Sequence, residues 1–223
     1  MTPNAPRPNV RTTKHRGRMT AARRLAWTNL LDRWSLAPDT TGTSAEIGRA
    51  FGRSGPVLID LGFGNGQATK RWALDQPDSL VIGVELHRPG IAQLLVDLET
   101  AGPANVRVVY EDALDVLVRL DVETITALRV LFPDPWPKRR HHERRIVSPW
   151  FVDRCATVLV PGGQLHLATD STDYGEHMRS MLAADARFVL ETDDVRPPRP
   201  VTAYEQRGID AGRTITDLVY RRR

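Results

Sequence analysis

Apolar positions along the chain change period several times, and each change marks an element. In 20–36, Leu25, Leu30, Leu31 and Trp34 recur at helical spacing behind Thr20, a hydroxyl residue suited to cap a helix. From Pro56 onward, short β-branched runs alternate with amphipathic stretches. The pattern predicts strands at 57–59, 80–86, 106–110, 125–132 and 164–168, with helices at 67–76, 91–99, 113–120, 145–160 and 173–184. Pro161-Gly162-Gly163 reads as a turn, and 187–190 with 214–220 as a closing antiparallel pair. The stretch 38–55 is rich in Thr, Gly and Ser and reads as a linker; no internal repeat is present. This alternation predicts an α/β fold: a doubly wound, mostly parallel sheet of about seven strands, an antiparallel C-terminal strand and helices on both faces. Such sheets bind ligands beyond the C-terminal ends of their strands. The chain therefore divides into a basic arm, helix and linker over 1–55, with 1–10 expected to be disordered, and an α/β domain over 56–223.

Composition narrows the class. With 223 residues, 41% of them hydrophobic, the chain can bury a large core. Its single cysteine excludes an internal disulfide and fits a reducing, cytoplasmic compartment; Cys155 lies in an apolar helical stretch and reads as a buried thiol. No run of eighteen apolar residues exists, so no membrane span is expected. The start of the chain lacks a secretory apolar region, although an acid-free, Arg-rich start also fits an organelle transit peptide.

Net charge is +4, but the basic residues are clustered. Arg7, Arg11, Lys14, Arg16, Arg18, Arg23 and Arg24 precede any acid, and 138–145 holds five Lys or Arg against one acid, Glu143. The rest of the chain is net negative. Two basic patches on an acidic body suit a polyanion held at defined places; the alternative is a solvated tail and a solvated loop. The histidines form no metal motif: His141 and His142 are adjacent and diverge, His166 falls in a strand and His177 in a helix, so no metal is expected.

Candidate chemistry lies at the strand ends. Asp60-Leu61-Gly62-Phe63-Gly64-Asn65-Gly66 joins the first strand to the first helix of the sheet. Gly62 and Gly64 permit positive φ and close approach of a ligand to the backbone. Glu85 ends the second strand, at a spacing from which an acid can accept both hydroxyls of a ribose. Asp112 follows the third strand and suits either an adenine amino group or a helix N-cap. The spacing is G-x-G-x-G rather than the dinucleotide G-x-G-x-x-G, and Asp60 beside the loop favours a cationic ligand over a pyrophosphate. S-adenosylmethionine, with its sulfonium, ammonium and ribose, fits better than NAD. A hydride-site motif such as Tyr-x-x-x-Lys is also lacking, which counts against an NAD-dependent oxidoreductase.

After the fourth strand comes Leu131-Phe132-Pro133-Asp134-Pro135-Trp136-Pro137-Lys138. Three prolines in five residues stiffen an extended loop carrying one carboxylate and one indole. That pairing suits a planar, hydrogen-bonding base. The alternative is a turn capped by Asp134 with Trp136 in the core.

FPDPW-x-K, RRHHERRIV, GGQLHLATD and RPVTAYEQRG, in this order, resemble the bacterial tRNA (guanine-N7-)-methyltransferase family, a class I S-adenosylmethionine-dependent group. The resemblance spans about residues 16–221. It implies methyl transfer from S-adenosylmethionine to N7 of a guanine in the tRNA variable loop. It further implies that Asp60, Gly62, Gly64, Glu85, Asp112 and Asp134 bind the cofactor, with Asp134 also catalytic. Lys138, Asp170, Thr202, Tyr204 and Glu205 are implied to contact substrate, and Arg140, His141, Arg144 and Arg145 to touch RNA, as does the basic stretch near 16–20. Departures from the family pattern are Pro137, Glu143, Ser171 and Ala203; they bear on RNA contact more than on the reaction. N7 carries no proton, so Asp134 reads as a holder of the base and a stabiliser of charge rather than a general base. The other functional class compatible with the residues is a non-catalytic RNA-binding module. Monomer and homodimer are both left open.

Overall fold

The computed structural model describes residues 6–10, 18–37, 40 and 42–223. Three of the seven residues of the first basic patch (Arg11, Lys14 and Arg16) lie outside these residues. A seven-stranded sheet forms the centre, built from β1 (Val57–Leu61), β2 (Leu80–Val84), β3 (Val106–Val109), β4 (Ile125–Leu131), β5 (Leu159–Thr169), β6 (Phe188–Asp193) and β7 (Thr216–Arg222). Its order is β3-β2-β1-β4-β5-β7-β6. Pairings among β1 to β5 are parallel, and β7 runs antiparallel to both β5 and β6. The order reverses between β1 and β4, where an open α/β sheet leaves a crevice for ligands at its C-terminal edge.

Alternate residues of each strand feed different layers. Val57, Ile59 and Leu61 join one core with α2 (Ser44–Phe51), α5 (Ala113–Arg119), α6 (Pro149–Val158) and α7 (Thr172–Ala183). Leu58 joins a second core with α1 (Ala21–Trp34), α3 (Gln67–Asp75) and α4 (Arg88–Ala101). The second core covers β3, β2 and β1 but does not extend across the sheet. Beyond Ala127, that face carries Arg129, His166 and Asp217, all buried and polar. Among the described residues, no helix is long and apolar enough to cross a membrane.

Four local features differ from the sequence pattern. The presumed linker contains α2, fixed by a Thr43–Glu46 capping box and closed by Gly52 at φ 71°. The long helix expected at 145–160 is instead a 3₁₀ turn at Arg139–Arg144 followed by α6. Pro149 can sit only in the first turn of a helix, behind the Ser148 cap. The expected turn at 161–163 lies inside β5, where the register with β4 jumps from Ile125↔Leu159 to Ala127↔Gln164. An additional helix, α8 (Ala203–Asp210), starts at a second capping box, Thr202–Glu205. Of the stretch expected to be disordered, Arg7 pairs with Asp115 at 2.7 Å and Val10 packs against the first core.

Candidate active site

A cavity of about 620 Å³ opens at the C-terminal edge of the sheet, across the β1/β4 crevice. The loop after β1 forms one wall. Gly62 (φ 75°), Gly64 (φ 63°) and Gly66 (φ 79°) are left-handed, conformations that a side chain would strain. Gly90, in the first turn of α4, has a second reason to be glycine: a Cβ there would stand 1.9 Å from the Gly64 carbonyl oxygen. The first turn of α4 thus presses bare backbone against the glycine loop.

Glu85, just after β2, is locked in place. One carboxylate oxygen accepts from the Gly64 N–H at 2.8 Å, the other from the N–H groups of Leu86 at 2.6 Å and His87 at 2.8 Å. The carboxylate keeps acceptor capacity toward the cavity. Asp112 lines the cavity and also caps α5, accepting from the Leu114 N–H at 2.8 Å. The N-cap reading of that residue holds, and its side chain also faces the cavity. Asp60 lies beneath the loop, buried, with the Thr69 hydroxyl donating to it at 2.7 Å; burial pushes its carboxyl above the ordinary aspartate range. Phe63, Leu86 and Leu114 add the apolar surface a flat ring needs.

The loop after β4 faces this wall. Phe132 (φ 55°) and Trp136 (φ 44°) are left-handed although neither is glycine, so the loop holds local strain. Three fasteners keep it in shape. The Phe132 N–H donates to the Ala168 carbonyl at 2.8 Å, Arg145 Nε donates to the Pro135 carbonyl at 2.9 Å, and Arg199 lies 5.5 Å from the Phe132 ring centroid. Asp134 is thereby presented to the cavity, exposed and without a hydrogen bond or ion pair among the described residues. Trp136 lines the same cavity with Arg144 over its ring at 5.0 Å.

The remaining expected site residues divide. Thr202 and Tyr204 reach the cavity, and the Tyr204 ring lies over Gly64. Glu205 does not reach it: its buried carboxylate takes Arg196 Nε at 2.8 Å, Arg199 and the Thr202 N–H at 3.2 Å. Asp170 pairs with Arg213 away from the cavity wall. Lys138, Arg140 and His141 lie outside the cavity, with Lys138 and Arg140 exposed. Desolvation and the nearby Arg144, Arg140 and Lys138 lower the His141 pKa. Arg145 was expected on an RNA-facing surface, yet it is 2% exposed, paired with Asp173 and stacked on Tyr174 at 4.8 Å. A guanidinium so enclosed cannot meet a phosphate, and it fixes the loop instead.

Sequence reasoning missed Arg199. It is fully buried and joins Glu205 of α8, Asp217 of β7 at 2.9 Å and the Phe132 ring. Asp217 also bonds His166 at 2.8 Å. Burial pushes Asp217 up, but His166 and Arg199 hold it below the ordinary range. His166 is lowered, first by burial. The only hint in the sequence is the proline-flanked Arg-Pro-Pro-Arg-Pro run before α8.

The arrangement puts a clamped acid suited to a ribose, an adenine-sized apolar slot and a free acid on a stiff loop around one space. Comparison with known proteins agrees with that chemistry. A family model described as a putative methyltransferase matches residues 54–218. A tRNA (guanine-N(7)-)-methyltransferase of Halorhodospira halophila is 42% identical over 98% of this chain and 96% of its own. One from Streptomyces avermitilis is 39% identical over 93% of this chain and 73% of its own. Among solved structures, the 16S rRNA methyltransferase KamB shares the fold, with TM-score 0.59, 18% identity, and 81% and 94% of the two chains covered. A 16S rRNA (adenine(1408)-N(1))-methyltransferase from Catenulisporales acidiphilia, solved with its cosubstrate SAM, does so at TM-score 0.56 and 17% identity, over 84% and 92%. On this sequence similarity the chain belongs to the tRNA (guanine-N(7)-)-methyltransferase family.

Proposed function

We propose that the protein transfers a methyl group from S-adenosylmethionine to N7 of a guanine in the variable loop of tRNA, acting in the cytoplasm. The carrying observation is Asp134: an acid without a partner, held on a strained loop across the cavity from Glu85. The residues fit the donor. Glu85 would accept the ribose hydroxyls, Asp112 with the Leu86 and Leu114 side chains would hold the adenine, and the Gly62–Gly64 backbone above Asp60 would face the amino-acid end. S-adenosylmethionine held there would supply a methyl on a sulfonium, and its transfer to N7 would leave positive charge on the guanine ring in place of that on sulfur.

The chain's own residues then position the base and stabilise charge. N7 has no proton to remove, so no general base is required. Asp134 would accept from the guanine N1–H and N2–H edge, a grip adenine cannot return, and oppose the developing charge. Trp136 and Tyr204 flank the space where an extruded base would stack. Thr202 is placed to touch it, while Lys138, Arg140, His141 and Arg144 lie along the approach for phosphates. Glu205 and Arg145 act at one remove, holding α8 and the Asp134 loop. Asp170 reaches the substrate only if it releases Arg213.

The test is incubation with methyl-labelled S-adenosylmethionine and unmodified tRNA, followed by borohydride reduction and aniline cleavage. Label with cleavage in the variable loop is expected. Bound tRNA with neither label nor cleavage would instead identify a binding module.

A further inference from the structure

On the half of the sheet that no helix covers, a second cavity of about 340 Å³ lies beside Arg129. Its floor is formed by β4 and β5, where Arg129 and His166 stand in register. Trp72 of α3 forms one side, and Pro197 and Arg221 the other. Arg129 is 9% exposed, and its guanidinium carbon lies 3.8 Å from the Trp72 ring centroid. It makes no hydrogen bond and no ion pair among the described residues. The nearest strand neighbour with an opposite charge, Asp60, is engaged by the Thr69 hydroxyl.

A buried cation with no hydrogen-bond acceptor is costly, and Asp60, Asp75 and Asp217 offset its lost hydration only through space. Burial accordingly lowers the Arg129 pKa to about 10, which still leaves the group charged at neutral pH. Packing on the indole satisfies only the flat face of the guanidinium. The N–H donors point outward in the plane of the group, in the fork that meets two oxygens of an oxyanion at once. The cavity wall contains no Asp or Glu; its polar groups include Gln76, Gln164, His166 and Arg221. Glu191, the acid at the rim, already takes Arg221 and the Gln164 amide at 3.0 Å. The volume is at the lower end for a small-molecule site, enough for a group up to about mononucleotide size.

We propose that this cavity is a phosphate-binding site, distinct from the methyl-transfer cavity, in which the edge of Arg129 grips the phosphate oxygens. The phosphate belongs either to a small phosphate ester or to the RNA backbone, and the two share this chemistry.

Equilibrium dialysis with labelled inorganic phosphate, at ionic strength fixed with chloride, tests it. Wild type should bind, and Arg129→Gln should lose one phosphate per chain or bind it at least about tenfold more weakly, the scale of lost charge-assisted hydrogen bonds. Arg140→Ala with Arg144→Ala should leave that phosphate in place, separating it from the basic loop. Because Arg129→Gln disturbs a buried position, Gln76→Glu provides the second variant. It sets a negative charge on the wall from an exposed residue and should weaken binding with the fold intact. Absence of binding in wild type, or wild-type binding in both Arg129→Gln and Gln76→Glu, overturns the proposal. Saturating tRNA added to the phosphate-loaded protein identifies the source: release assigns the site to an RNA phosphate, retention to a small phosphate ester.

Discussion

The two walls of the cavity at the C-terminal edge of the sheet are built in different ways. On the glycine-loop wall, the residues that face the ligand space are held by backbone: Glu85 by three N–H groups, Asp112 by the first turn of α5. On the opposite wall, buried charged side chains do much of the holding. Arg145 and Arg199 are buried and tie down the Asp134 loop and α8 through Asp173, Glu205 and Asp217. A wall held by backbone tolerates change around it. A wall held by buried ion pairs stays in place only while every partner is present, because removing one leaves a bare charge in a dry site. Charged residues near a site are therefore of two kinds, and only burial separates them.

That contrast can be broken in four places, the largest effect first. Arg199→Ala removes the buried cation that Glu205 and Asp217 share, and a stability loss of about 3–5 kcal/mol is expected by chemical denaturation, the scale for breaking a buried pair. An unchanged denaturation midpoint would make Glu205 a free substrate contact after all. Asp134→Ala should leave stability unaltered and cut single-turnover methyl transfer by about 10²–10³-fold, as for loss of one preorganised charge-stabilising group. Filter binding should show tRNA still held, and wild-type turnover would remove Asp134 from its role. Third, Arg140→Ala with Arg144→Ala should lower the slope of log affinity for tRNA against log salt by about 2, one per phosphate contact. Arg145→Ala should instead lower stability, so a salt-slope change from it alone would return that residue to the RNA surface.

The smallest effect is on pH. The Arg145 hydrogen bond holds Asp173 below the ordinary aspartate value of 3.8, and His166 with Arg199 does the same for Asp217 against burial. A carboxyl with a lowered folded-state pKa adds stability that is fully present above 3.8 and is lost as pH falls below it. Denaturation midpoints should therefore drop below pH 3.8, and Asp217→Asn should flatten that drop. A parallel drop in the variant would place the dependence elsewhere.

The strand-end acids were legible in the sequence because their positions follow from local period and spacing: Glu85 and Asp112 each stand just past a β-branched run. The stiffness of the loop after β4 was legible too, since three prolines leave it few conformations, but its left-handed turns at Phe132 and Trp136 were not, where an extended loop was expected. The short helices were harder to read. α2 and α8 have eight residues each, two turns with too few apolar positions to show a period. Yet both open with Thr-x-x-Glu, Thr43 to Glu46 and Thr202 to Glu205, and that capping box was the available signal. The burial of Arg145 was not legible, because its partner Asp173 is 28 residues away and only the packing of α7 brings it near. Arg199 shares that difficulty: its partners come from α8 and β7, and no local pattern announces a charge that the fold encloses.

Gly90 gives the cleft a dimension. The glycine loop and the start of α4 meet with only hydrogen between them, so the gap between the two segments is narrower than a methyl group. Any side chain at 90 acts as a shim: it must push the Gly64 carbonyl away, and with it the N–H that Glu85 holds. The pitch of the whole glycine-loop wall is thus gauged by an atom that is absent, and the bore of the cavity can be widened from a residue outside its lining.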